Sequence, residues 1–266
     1  MNVDALIDWV EAWAPPTWQE SWDNCGWLIE PGILSQPAGV LVCLTPTLAV
    51  MTEAIRLKEE GAPVNLIFAH HPLIFSPLKS VAAGDPVGEM VRLGITHGIG
   101  VYSAHTNFDQ VADGTADVLA QLLGLKDSVP VVPTQDGLGY GRVGNLPSPQ
   151  SLDDLLALIQ TQLNPPNLIH SPTADLQTII DRVAVLGGSG ASFMAAVAKT
   201  GALAYLTSDC KFHQFQESRD RNLILIDAGH YATERPACAK LVKKFQQQGV
   251  TWTQLSTTDE DFRQFW

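Results

Sequence analysis

The sequence predicts an α/β protein of two lobes. Short apolar runs alternate with segments of helical periodicity, several of those runs end in histidine or carboxylate residues, and a stretch rich in Pro, Gly and Val separates two such series. Taken in order, residues 3–13 place Val3, Leu6, Ile7 and Val10 at helical spacing, and Pro15-Pro16 ends that helix. A strand over 40–44, a helix over 48–60 stopped by Gly61, a strand over 65–69, a helix around 87–93 and a strand over 99–103 follow in βα fashion. Residues 119–125 close this half. Pro130, Pro133, Pro147 and Pro149 mark the divide, so the lobes are expected at 1–128 and 129–266. The second series has a helix over 151–163 with Ser151 as N-cap and acids in its first turn. A strand over 183–186 then leads through Gly187-Gly188-Ser189-Gly190 to a helix ending at Ala198. Strands over 204–207 and 223–226 and a closing helix over 233–248 complete the chain.

The strand ends carry the chemistry. Asn65-Leu66-Ile67-Phe68-Ala69 runs directly into His70-His71, and adjacent side chains on a strand point to opposite faces. Both imidazoles can therefore serve one cluster only where the strand is ending, as Pro72 allows, and such a pair suits two neighbouring ions. His105 and Asp109 follow a second apolar segment, and His230 and Glu234 follow a third. Ligands gather at strand ends in open α/β sheets, and His plus carboxylate is the donor set of hydrolytic Zn, Mn or Fe sites. A helix starting near Gly229 would put His230 and Glu234 on one face, and the same holds for His105 and Asp109 if that stretch coils.

Composition narrows the function further. At 266 residues the chain can bury a substantial core, and its net charge of −12 disfavours nucleic acid, whose binding depends on Lys and Arg. Arg219 and Arg221 are expected in a solvated loop, with a local basic patch as the alternative. No apolar run approaches the ~18 residues of a membrane span, and Asp4, Asp8 and Glu11 stand where a leader would be basic, so a cytoplasmic protein is expected. Cys25, Cys43, Cys210 and Cys238 form no CxxC and are expected as thiols. Five of the seven tryptophans precede residue 28, which signals core or subunit contacts, with substrate stacking by one of them as the alternative. The loop Gly187–190 is open to two readings, an anion cradle or a tight turn that lets a helix pack closely. Asp209, Lys211 and His213 are likewise read as cleft-lining or as a salt-bridged loop. Asn65-Leu66-Ile67-Phe68 and Asn222-Leu223-Ile224-Leu225 echo each other, by duplication or by coincidence.

Six ordered blocks make the chain resemble the Nif-three-like family, whose members are also named type 2 homologues of GTP cyclohydrolase I. They are Trp22-Asp23-Asn24 with Gly26, His70-His71-Pro72-Leu73, Ser103-Ala104-His105-Thr106-Asn107-Phe108-Asp109, Gly187-Gly188-Ser189-Gly190, Thr207-Ser208-Asp209 with Lys211-Phe212-His213, and Gly229-His230 with Glu234. The resemblance implies a two-lobed α/β fold with a dinuclear metal site in the cleft between the lobes, and a ring-shaped homohexamer. It makes His70, His71, Asp109, His230 and Glu234 the ligands of two divalent ions (Zn, Fe or Mn), with Glu234 bridging. A bridging carboxylate suits cations ~3.5 to 4 Å apart. His105 falls in or beside that shell and is the candidate for moving protons. A metal-dependent hydrolase of a nucleotide-like or phosphoester substrate is expected, the alternative being a non-catalytic scaffold or regulator. Two positions depart from the family pattern: Ser208 replaces a usual Gly, and Thr45 replaces a common Asp. Neither is expected to touch a ligand.

Overall fold

In the computed structural model, which describes residues 1–82, 84–135, 137–172 and 175–266, the chain is α/β and forms two compact units. The first comprises 1–108 and 238–262, the second 109–237 and 263–266. The expected division, a single cut near 128, follows chain order, whereas these units follow pairing. Strand Trp252–Leu255 pairs in parallel with Gly39–Cys43, which returns the C-terminal region to the first unit.

The first unit holds a five-stranded sheet ordered Gly26–Ile29, Gly100–Ser103, Leu66–Ala69, Gly39–Cys43, Trp252–Leu255, parallel except for the first strand. Both faces are covered, so the central strands read as continuous apolar runs. Leu41, Ile67 and Val101 on one face pack with Val50, Met51, Ala54 and Met90 of the helices Leu48–Glu59 and Pro86–His97. On the other face Phe68 stacks with Tyr102 and meets Phe245 edge-on, and Phe245 in turn meets Trp9 of helix Val3–Trp13. The helices start where side chains satisfy their orphan N–H groups: Asn2, Thr47 and Asp85 each accept from the turn they begin.

In the second unit a six-stranded sheet has a parallel centre, Ile179–Val185, Ala204–Thr207 and Ile224–Asp227. Arg142–Ser151 and Ile169–His170 flank it in antiparallel fashion, and Lys126–Val129 lies outside Arg142–Ser151. Leu152, Leu155 and Ile159 of helix Leu152–Leu163, capped by Ser151 as expected, pack on Val183, Val185, Leu206 and Ile226. Met194, Val197 and Phe215 cover the opposite face through Ala184, Tyr205 and Leu225. The segment with Arg219 and Arg221, expected as a loop, belongs to a helix, Phe212–Asp220, and its C-cap; there Arg219 pairs with Asp220 and Arg221 with Glu217. The four cysteines are thiols. Among the described residues no helix is long and apolar enough to cross a membrane.

Candidate functional site

Each unit presents one set of candidate donors, and each set sits where parallel strands end. In the first unit, Leu66–Ala69 delivers His70 and His71, and Gly100–Ser103 delivers His105. The ring centroids of His70 lie 5.2 Å from those of His71 and 5.1 Å from those of His105. One ligand atom from each of the three falls within 4.8 Å of the others.

The rings are oriented from behind. His70 is buried, and its Nδ1 donates to the Ala104 carbonyl at 2.9 Å, which fixes the tautomer with the lone pair on Nε2. His105 Nδ1 lies 2.8 Å from Asp23 Oδ1, and the Asp23 side chain has no solvent exposure. The Asp23 carboxylate also accepts from Thr106 N and Oγ1, from Asn24 N and from Cys25 Sγ. Burial would raise Asp23, but the hydrogen bonds from His105 and Thr106 hold it well below the usual carboxylate range. An ionised Asp23 accepts only, so His105 also keeps its proton on Nδ1 and presents Nε2. The Cys25 thiol, desolvated and beside that charge, is pushed up to about 12 and stays protonated. His71 Nδ1 pairs with Thr45 Oγ1 at 2.8 Å. Thr45 thus touches a proposed ligand, which corrects the sequence expectation: a hydroxyl does here what a carboxylate would do for a ring nitrogen.

In the second unit the helix His230–Gln247 starts directly after Gly229, so His230 and Glu234 share one face as the spacing predicts, with Nε2 and Oε2 2.8 Å apart. Asp209, at φ +54° beyond strand Ala204–Thr207, holds His230 Nδ1 at 2.6 Å and lies 3.5 Å from Arg263. Burial would lower His230; the hydrogen bonds to Asp209 and Glu234 outweigh it and push it up to about 10. The His230 contact holds Asp209 below its ordinary range despite burial. His230 Nε2 and Glu234 Oε2 converge on one point, for which a proton and a bound cation would compete.

Gly187–190 is explained by this set. A Cβ on Gly188, at φ +65°, would lie 2.1 Å from Glu234 Oε1, and one on Gly187 would lie 3.1 Å from Glu234 Cγ. The N–H of Gly188 donates to Thr233 Oγ1 and that of Gly190 to Thr207 Oγ1. Of the two readings, the close-packing turn holds: the loop gives Glu234 its room and spends backbone donors on its own neighbours. Asp209 supports a ligand candidate, while Lys211 caps the following helix and His213 lies within it.

Asp109 opens the second unit, where its Oδ1 accepts from Thr115 Oγ1 at 2.5 Å. Residues 106–110 form turns, so the helical spacing envisaged for His105 and Asp109 is not realised. Sequence reasoning assigned no role to Asp23, Thr45 or Asp209 as supports of histidines. The signal available was their position beside the apolar runs; the partners lie 82, 26 and 21 residues away. The donor chemistry fits divalent metal. Imidazoles and a carboxylate at strand ends, with ring N–H groups tied to carboxylate or carbonyl, form the pattern that orients metal ligands.

A family model described as Duf34/NIF3 (NGG1p interacting factor 3) matches residues 1–260. A relative from Nostoc sp., named GTP cyclohydrolase 1 type 2 homolog, is 70% identical over 265 residues, covering 100% of this chain and 99% of the relative. A Bacillus cereus protein related to NIF3 superposes with a TM-score of 0.87 at 22% identity, over 100% of this chain and 99% of its own. A Staphylococcus aureus hypothetical protein gives 0.86 at 26% identity, again over 100% and 99%.

Proposed function

The chain belongs to the Duf34/NIF3 family, and from that premise we propose that His70, His71, Asp109, His230 and Glu234 hold two divalent ions, Zn, Fe or Mn, in a metal-dependent hydrolase. The observation that carries the reading is the common disposition of the imidazoles: His70, His105 and His230 each tie Nδ1 to an acceptor, which leaves Nε2 to serve as donor. When bound, such ions lower the pKa of water and polarise the bond under attack. The chain's own groups do the rest. Glu234 supplies the carboxylate suited to bridging, and Gly188 leaves space for it. His105, braced by Asp23 and at ligand distance from His70 and His71, accepts and returns the proton at Nε2.

The relatives' name suggests a nucleotide-like substrate; a phosphoester is proposed beside it from the metal chemistry, and the chain is proposed to work as a homohexamer. Sedimentation velocity tests the assembly: a monomer at micromolar concentration overturns it. His105→Gln tests the chemistry. Metal content should survive while metal-dependent turnover of a nucleotide or phosphoester falls roughly 10²- to 10⁴-fold, the usual share of general acid–base catalysis. Loss of metal would instead make His105 a ligand. If the metal-loaded wild type turns over none of these substrates, a non-catalytic metal-dependent scaffold becomes the better reading.

A further inference from the structure

Trp9, Trp13, Trp18 and Trp27 are half-buried, whereas Trp22 is 56% exposed and Phe75 beside it is 54% exposed. Their ring centroids lie 6.0 Å apart with planes inclined at 42°, a wedge rather than a parallel stack. Trp22 also meets His105 edge-on, with centroids 6.2 Å apart. Both aromatics ride on segments that carry the donor set. Trp22 immediately precedes the buried Asp23 that braces His105, and Phe75 lies four residues beyond His71 on the loop leaving the strand. A further bond ties the two segments together, since Asn24 Nδ2 donates to the Ile74 carbonyl at 2.6 Å. Large apolar rings held in water on a braced support do not lower the folding free energy by burial. Their exposed faces suit a planar guest, because aromatic faces are favourable stacking surfaces for heterocycles and fix orientation at little entropic cost.

We propose that Trp22 and Phe75 form a stacking subsite for a planar heteroaromatic ring of the substrate, such as a nucleobase, which seats the rest of that molecule against the imidazole trio. The inference rests on the hydrolase reading above and adds the residues that select the substrate. The ring faces supply affinity for any flat heterocycle, and His105, edge-on to Trp22, is the imidazole of the trio set beside that ring.

Titration calorimetry with guanosine 5′-monophosphate on the full-length, metal-loaded chain tests it, with ribose 5-phosphate as the ring-free counterpart. Trp22→Ala is expected to weaken the nucleotide roughly 5- to 100-fold, as loss of a base-stacking partner does. Trp22→Phe should retain most of the affinity, Phe75→Ala should show a smaller loss, and ribose 5-phosphate should bind all variants alike. Metal content, read on the same samples, should not change. Equal nucleotide binding by wild type and Trp22→Ala overturns the proposal, as does equal weakening of both probes or a wild type that binds no nucleotide. A Trp22→Ala variant that changes sedimentation while binding nucleotide normally also overturns it, and shows the wedge to be a contact with a second copy. A wild type without metal marks failure of the donor set itself, a result distinct from failure of the wedge.

Discussion

The two donor sets occupy equivalent places, the C-terminal ends of parallel strands, yet they are supported in opposite ways. In the first unit three imidazoles are oriented by the buried Ala104 carbonyl, the half-buried Thr45 hydroxyl and an Asp23 carboxylate with no exposed surface. In the second, His230 is set between two carboxylates, and its orienting Asp209 is 40% exposed and faces Arg263. A buried brace such as Asp23 is part of the fold as well as of the site; an exposed one such as Asp209 acts through charge and orientation alone.

The largest effect is expected from the residue that no brace can replace. Glu234→Gln should remove or halve the bound metal, since a neutral amide is a poor bridge between cations, while the Gly188 turn still accommodates its shape. Metal analysis of the variant checks this; unchanged content would take the bridging role from Glu234.

The contrast between braces sharpens next. Asp23→Asn and Asp209→Asn should each weaken metal binding about 10- to 100-fold, the usual effect of losing a carboxylate that orients a metal-bound imidazole. They should part in stability. Asp23→Asn sets an amide against Thr106, Asn24 and His105 in a buried place, with an expected cost of about 1–3 kcal/mol in denaturant unfolding. Asp209→Asn should unfold at nearly the wild-type midpoint. Equal destabilisation by the two would erase the distinction.

A smaller, remote effect provides the control. Glu53, buried in helix Leu48–Glu59, accepts from Ser256, Thr257 and Thr258, and these bonds outweigh burial to hold it below its ordinary 4.5. A depressed folded-state pKa adds stability above the unfolded value that is lost as pH falls through the folded one. Acid unfolding below about 4.5 should therefore be shallower in Glu53→Gln, with metal content unchanged. An identical acid profile would remove Glu53 from the account.

Much of this was legible because the site lies at strand ends. Leu66–Ala69 and Ile224–Asp227 are buried on both faces, so their apolar runs stand out and lead to His70, His71 and His230. What escaped sequence reading lacked such a signal. Helix Phe212–Asp220 buries little beyond Ser218. Strand Trp252–Leu255 is half-buried throughout, and its pairing with Gly39–Cys43 is non-local, which is why a single cut looked natural. Thr45 looked like a departure without consequence, because its contact with His71 spans 26 residues and a hydroxyl does not advertise a carboxylate's role. The echo around Asn65 and Asn222 is one of placement: Asn65 accepts from Gly39 N, whereas Asn222 turns the chain at φ +53°.

Elemental analysis of the protein purified without chelators decides whether the proposed ligands hold metal. Two divalent transition-metal ions per chain are expected, because five ligands of mixed His and carboxylate type exceed what one open catalytic ion usually takes. A well-folded protein that carries no metal, and takes up none on addition of Zn, Mn or Fe, would contradict that expectation.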